Sequence, residues 1–154
     1  SNASTALASV QFQLTVTSSY LSYAAWVASY GLIGPDANPS TSLPNDGISN
    51  LLRYAFNLSP SINSPGSILP GLGNFGMPSI YRSGSFLHYE YVRRTGAVIT
   101  YTPKKSINLI DWEPLTSVPT ITSIDGEWER IIFNEPLPPS GAERMFGIVE
   151  INHP

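Results

Sequence analysis

Cysteine is missing altogether, which removes disulfides, thiolate metal centres and cysteine nucleophiles from consideration. Histidine is nearly missing: His88 and His153 are the only two, and with no cysteine beside them a catalytic zinc site is not expected. Charge is sparse as well. Asp, Glu, Lys and Arg make up 12% of the 154 residues, about half the roughly 25% of an ordinary soluble domain. Ser, Thr, Asn and Gly must therefore supply much of the polar surface, a composition common outside cells. The net charge is −3, and only Arg93-Arg94 and Lys104-Lys105 place basic residues side by side, so the electrostatic footprint of a nucleic-acid binder is lacking. No apolar run approaches the roughly 18 residues of a membrane helix, and no membrane insertion is expected.

Against these absences stand 42% hydrophobic residues with three tryptophans and eight tyrosines, too apolar for disorder, and 14 prolines and 12 glycines that cut the chain into short elements. The length suits one domain with a real core. Ser1-Asn2-Ala3 has the form of a scar left by tag removal. Within residues 4–17, Val10, Phe12, Leu14 and Val16 alternate with Gln11, Gln13, Thr15 and Thr17, the pattern of a half-buried strand. It is either the first strand of this fold or the end of a preceding domain, since its Phe-x-Leu-x-Val run resembles the last strand of bacterial immunoglobulin-like domains.

Residues 18–62 read as a helix-loop-helix. Ser18 or Ser19 caps a first helix carrying Tyr23, Trp26, Val27 and Tyr30 at helical spacing, with a stop at Gly31 or Gly34. Leu51, Leu52, Tyr54, Ala55 and Leu58 form the stripe of a second, ended by Pro60. Residues 63–85 form a Pro/Gly-rich connector expected to run over the core surface.

Residues 86–154 read as an antiparallel β module. Leu87, Tyr89 and Tyr91 face one side and His88, Glu90, Val92 and Arg94 the other, with a Thr95-Gly96 turn leading back into AVITYTPKK as a hairpin. Pro103 puts that second strand at an edge or breaks it. Asp125-Gly126 marks another hairpin between Thr120–Ile124 and Glu127–Phe133, and Arg144–Ile151 closes the module. Leu109 and Trp112, three apart, suggest a helical turn plugging one end of the sheet. The predicted class is mainly β (α+β): an antiparallel, sandwich-like sheet domain preceded by a short helix-loop-helix, with residues 18–154 as one unit.

Two segments carry a family resemblance. Asn45-Asp46-Gly47-Ile48-Ser49-Asn50-Leu51-Leu52-Arg53-Tyr54-Ala55 through Pro60 resembles the Asp-x-Asp-Gly-Ile-Ser-Asn-Leu-Leu-Glu-Tyr-Ala motif near the C-termini of large secreted bacterial proteins, itself similar to dockerin and thrombospondin-type calcium loops. Tyr91-Val92-Arg93-Arg94, then Tyr101 through Ser106, Leu109 and Trp112, then Arg144 to Ile148, match in order the β domain that follows in the same proteins. Together the likeness covers roughly residues 20–151. It implies an extracellular or cell-surface module, neighbouring domains of a larger protein as partners, and no defined activity.

The resemblance also implies a calcium loop with Ser42, Asp46 and Asn50 as ligands. Calcium needs six to eight oxygens and a bidentate closing carboxylate. Here Pro44 occupies a ligand position and Arg53 stands where the closing Glu belongs. The Arg53 guanidinium is therefore expected to take over the ion's structural role by pairing with Asp46 or with loop carbonyls, and no cofactor is expected beyond this degenerate calcium loop.

No catalytic constellation assembles from the sequence. His88 sits mid-strand without a Gly-x-Ser-x-Gly elbow, and Glu127 and Glu129 around Trp128 are best read as a solvated face instead of a glycosidase pair. The leading expectation is a non-catalytic structural or interaction module. The alternative is a carbohydrate-binding module using Trp26, Trp112 and Trp128 as stacking platforms for glycans; a small hydrolase ranks third.

Overall fold

The computed structural model describes residues 21–43, 46–137 and 144–154; the strand expected at Val10–Thr17 and the caps expected at Ser18 and Ser19 lie outside them. Helix α1 (Tyr23–Ser29) begins at Ser22, whose Oγ accepts the Ala25 amide at 3.1 Å, and stops before Gly31 at φ 65°. Helix α2 (Asn50–Ala55) is capped by Ser49 and ends as Asn57 takes a left-handed φ of 56°, three residues before Pro60. Each helix is short, and its apolar stripe binds it to the sheets.

Among the described residues seven strands follow: β1 (Ser79–Ser83), β2 (Phe86–Arg94), β3 (Thr100–Ser106), β4 (Glu113–Pro114), β5 (Thr120–Ser123), β6 (Trp128–Pro136) and β7 (Phe146–Asn152). They form two antiparallel sheets, β1-β2-β6-β5 and β4-β3-β7. The chain is mainly β and sandwich-like, as its sequence predicts. The Asp125-Gly126 hairpin is present, with Asp125 Oδ1 accepting the Glu127 and Trp128 amides at 2.8 and 2.9 Å.

Three local expectations need correction. The Thr95-Gly96 turn does not close a β2–β3 hairpin: β2 pairs with β1 and β6, while β3 pairs with β4 and β7 in the other sheet. The turn crosses between the sheets and buries Ile99 on the way. The true partner of β2 is β1, inside the supposed connector, reached through a Gly84-Ser85 turn with Gly84 at φ 59°. Pro103 lies in the central strand of its sheet, not at an edge. Its carbonyl accepts the Leu115 amide, so its missing donor also faces the two-residue strand β4, where little pairing is lost. Finally, no helical turn joins Leu109 to Trp112. Ser106 Oγ and Asn108 Oδ1 capture the local amides and fold residues 107–111 into a bend, leaving Leu109 56% exposed and Trp112 half-buried.

One core unites helices and sheets. Trp26, Tyr54 and Phe56 pack with Tyr89, Tyr91, Ile131 and Phe133, each large buried side chain contributing about 1.5–3 kcal/mol. Gly147 on β7 is required there, because a Cβ would sit 2.7 Å from the Tyr89 ring. A second, smaller core forms on the opposite face of β2, where the connector folds back and Ile68 covers Val92 and Trp128. Most of β2 is thus buried on both faces.

Burial pushes the phenols of Tyr89 and Tyr91 up to about 12, with the Glu135 carboxylate adding to the rise at Tyr89. The folded state therefore holds these protons more tightly than the unfolded chain, so their stabilising effect is complete below pH 10 and declines between pH 10 and 12. Alkaline titration should show the last tyrosinate absorbance to appear, that of the buried phenols, rising together with loss of the near-ultraviolet circular dichroism signal.

Candidate functional site

The loop that resembles a calcium site is built around a guanidinium. Arg53 projects from α2 into the loop and is fully buried. Its Nη2 donates to Asp46 Oδ1 and Oδ2 at 2.8 and 2.7 Å, and its Nη1 to the carbonyls of Ser59 and Ile62 at 3.0 and 2.8 Å. Four oxygens thus converge on one internal cation, and the pairing expected of Arg53 is present with both kinds of partner. Asp46 also accepts the Ile48 and Ser64 amides and the Ser42 hydroxyl. Burial alone would raise its carboxyl pKa, but the Ser64 and Ile48 amides and Arg53 outweigh it and hold the group well below the ordinary carboxylate range.

Of the residues proposed as calcium ligands, Ser42 donates its hydroxyl to Asp46 Oδ1 at 3.2 Å. The Asp46 oxygens are already filled, and Asn50 has turned away to donate to the Asp36 and Asn38 carbonyls at 2.8 and 3.1 Å.

The tryptophans proposed as sugar platforms are also placed differently. Trp26 is 3% exposed among Tyr23, Tyr30 and Tyr54. Trp128 is equally buried, with the Arg94 guanidinium 4.2 Å from its ring centre. Neither can stack on an external ring. Trp112 is the half-buried exception.

Glu127 and Glu129, expected on a solvated face, each meet an arginine of β2: Glu129 with Arg93 at 2.6 Å and Glu127 with Arg94 at 3.6 Å. Six of the eight basic side chains are spent in ion pairs. Among these, buried Glu135 ties Lys105 of β3 to β6 at 2.6 Å, joining the two sheets. Lys105 also lines a cleft of about 350 Å³ beside the β3–β4 loop, where Asn108 Nδ2 donates to Asp111 at 2.8 Å.

His88 lies on the outer face of the first sheet, where its Nδ1 meets Asn134 Oδ1 at 2.8 Å and its ring lies 4.6 Å from Tyr81. Phe86, on the same face of β2, is 44% exposed. Tyr81 carried no signal in the sequence because β1 was hidden in a Pro/Gly-rich stretch.

A further site lies in the connector itself. Buried Glu90 and Arg130 pair beneath it and grip its backbone from below, Glu90 accepting the Gly71 amide at 2.7 Å and Arg130 donating to the Gly73 carbonyl at 2.6 Å. From above, Asn57 Nδ2 donates to the Asn74 carbonyl and the Gly76 amide to Phe56 O. Between these anchors opens a cleft of about 240 Å³, walled by Leu58, Ile62, Leu69, Leu72 and Phe75, with no ionisable side chain in its lining. Leu69, Leu72 and Phe75 are each more than 60% exposed. Sequence reading identified the connector but not the cleft, which depends on loop shape.

No family model matches this chain, and neither the curated proteins nor the solved structures contain a match to it.

Proposed function

We propose that this chain is a non-catalytic interaction module of a secreted or cell-surface bacterial protein, and that it docks neighbouring polypeptide through the apolar cleft of residues 57–76. The rigid display of Leu69, Leu72 and Phe75 carries this reading. Contiguous apolar side chains held toward solvent mark interaction sites, and here a buried ion pair serves to hold the backbone that presents them. A volume of about 240 Å³ lies below the roughly 300–1,000 Å³ of small-molecule pockets and suits one protruding side chain. Six of the eight basic side chains are committed to ion pairs, which speaks against catalysis.

Panning a displayed peptide library against the chain tests the reading. Binders rich in Leu, Phe or Trp are expected, with affinity lost at least tenfold in Leu72→Asp and retained in Tyr81→Ala. Turnover of a substrate, abolished by replacing one carboxylate or His88, would sink it.

A second reading, glycan binding, is favoured by the exposed Tyr81 and Phe86 beside the hydrogen-bonded His88 and Asn134, because sugars take an aromatic face together with amide and imidazole partners. Glycan-array signal lost in Tyr81→Ala but kept in Leu72→Asp would select it instead.

A further inference from the structure

We infer that two copies of this chain associate by pairing their β5 strands antiparallel across a twofold axis, joining the two four-stranded sheets into one. Each sheet must protect its edges, usually with charge, proline or covering chain. Arg82 lies on β1, Glu113-Pro114 makes up β4, and Glu150 lies on β7 paired to Lys104. The β5 edge has no such charge: residues Leu115 to Ile124 contain no ionisable side chain, all four strand residues are exposed, and among the described residues β5 pairs only with β6. Across a twofold axis the equivalent charges of two paired edges are brought near each other and repel; along β5 no charge opposes self-pairing.

The backbone supports the same register. Ile124 donates to the Trp128 carbonyl at 2.9 Å, and antiparallel pairs alternate between bonded and non-bonded. The bonded pairs with β6 are therefore Thr120–Ile132 and Thr122–Arg130, and the amides and carbonyls of Ile121 and Ser123 point outward. A second β5 satisfies all of them when Ile121 faces Ser123 of the other copy and Thr122 lies on the axis. In that register Pro119, which has no donor, falls outside the bonded pairs.

Apolar surface follows. Ile121 sits opposite Ile131, which is 1% exposed in the core, yet Ile121 itself is 49% exposed and Val118 90%. Dimerisation brings Ile121 side chains from both copies onto the same core-facing side. A four-residue strand is a small footprint beside the roughly 1,200–2,000 Å² of stable interfaces, so the dimer forms at high concentration and disperses on dilution.

The absence of cysteine permits a direct test with the whole chain. Thr122→Cys places two thiols at a non-bonded pair, about 4.5 Å between Cα atoms, within disulfide range. Under mild oxidation it should cross-link to dimer at least tenfold faster than Thr100→Cys, an exposed position on β3. Sedimentation equilibrium should show the mass of the unmodified chain rising toward twice the monomer between about 10 µM and about 1 mM. Ser123→Pro, which removes an outward amide, and Ile121→Lys, which sets charge against itself, should each stay monomeric with melting unchanged. If the proline variant fails to fold, the lysine variant decides. A chain monomeric at the highest concentration, equal cross-linking at positions 122 and 100, or a dimer surviving Ile121→Lys would overturn the inference. Peptide binding at the connector cleft is unaffected by any of these outcomes.

Discussion

Arg53→Ala is expected to destabilise the fold by about 3–5 kcal/mol, the range for removing one partner from a buried ion pair, and to lower the melting temperature by roughly 10–15 °C. The guanidinium touches Asp46, Ser59 and Ile62 together, so its loss separates the loop, α2 and the start of the connector at once. Arg53→Lys should recover little, because one ammonium cannot present a planar fork to a carboxylate and two carbonyls. Replacing both partners, in Asp46→Ala with Arg53→Met, should recover part of the loss by removing the orphaned carboxylate. Since Arg53 occupies the cation's place, millimolar calcium should leave the melting temperature unchanged. A calcium-induced rise that disappears in Asp46→Ala would show that the ion still has a site here.

The acid response follows from the same pair. Asp46 ionises more readily in the folded chain than at its ordinary value of 3.8, so its contribution is complete above about pH 4 and fades as the pH falls further. Asp46→Asn should flatten that part of the profile of melting temperature against pH between 2 and 5.

Gly76→Ala should be nearly as damaging, at about 3–5 kcal/mol. Gly76 has φ 129°, where a side chain is strained by about 1–3 kcal/mol. The added Cβ would also lie 2.6 Å from the Ile68 amide nitrogen and 2.7 Å from its Cα, backbone atoms that can move only with the whole loop. The connector would lift from the sheet and uncover Val92 and Trp128. A red shift and enhanced quenching of tryptophan fluorescence, with loss of peptide binding at the cleft, would report it. Unchanged fluorescence and stability would mean that the connector is held by the Glu90–Arg130 contacts alone.

Local sequence signals by themselves determined a good deal of this protein: two short helices, a mainly β remainder and the Asp125-Gly126 hairpin. These are legible because they rest on local rules, namely side-chain alternation, capping and turn chemistry. Tertiary structure alone decided the rest. The Thr95-Gly96 turn is the same dipeptide whether it closes a hairpin or crosses between sheets, and only competition among β1, β6 and β7 for partners settles which. The connector looked structureless because β1 is five residues long and the remainder gains its shape from Glu90 and Arg130, far away in sequence. Trp26 and Trp128 carry the same residue type as an exposed sugar platform, and burial, a property of the whole packed chain, assigned them to the core.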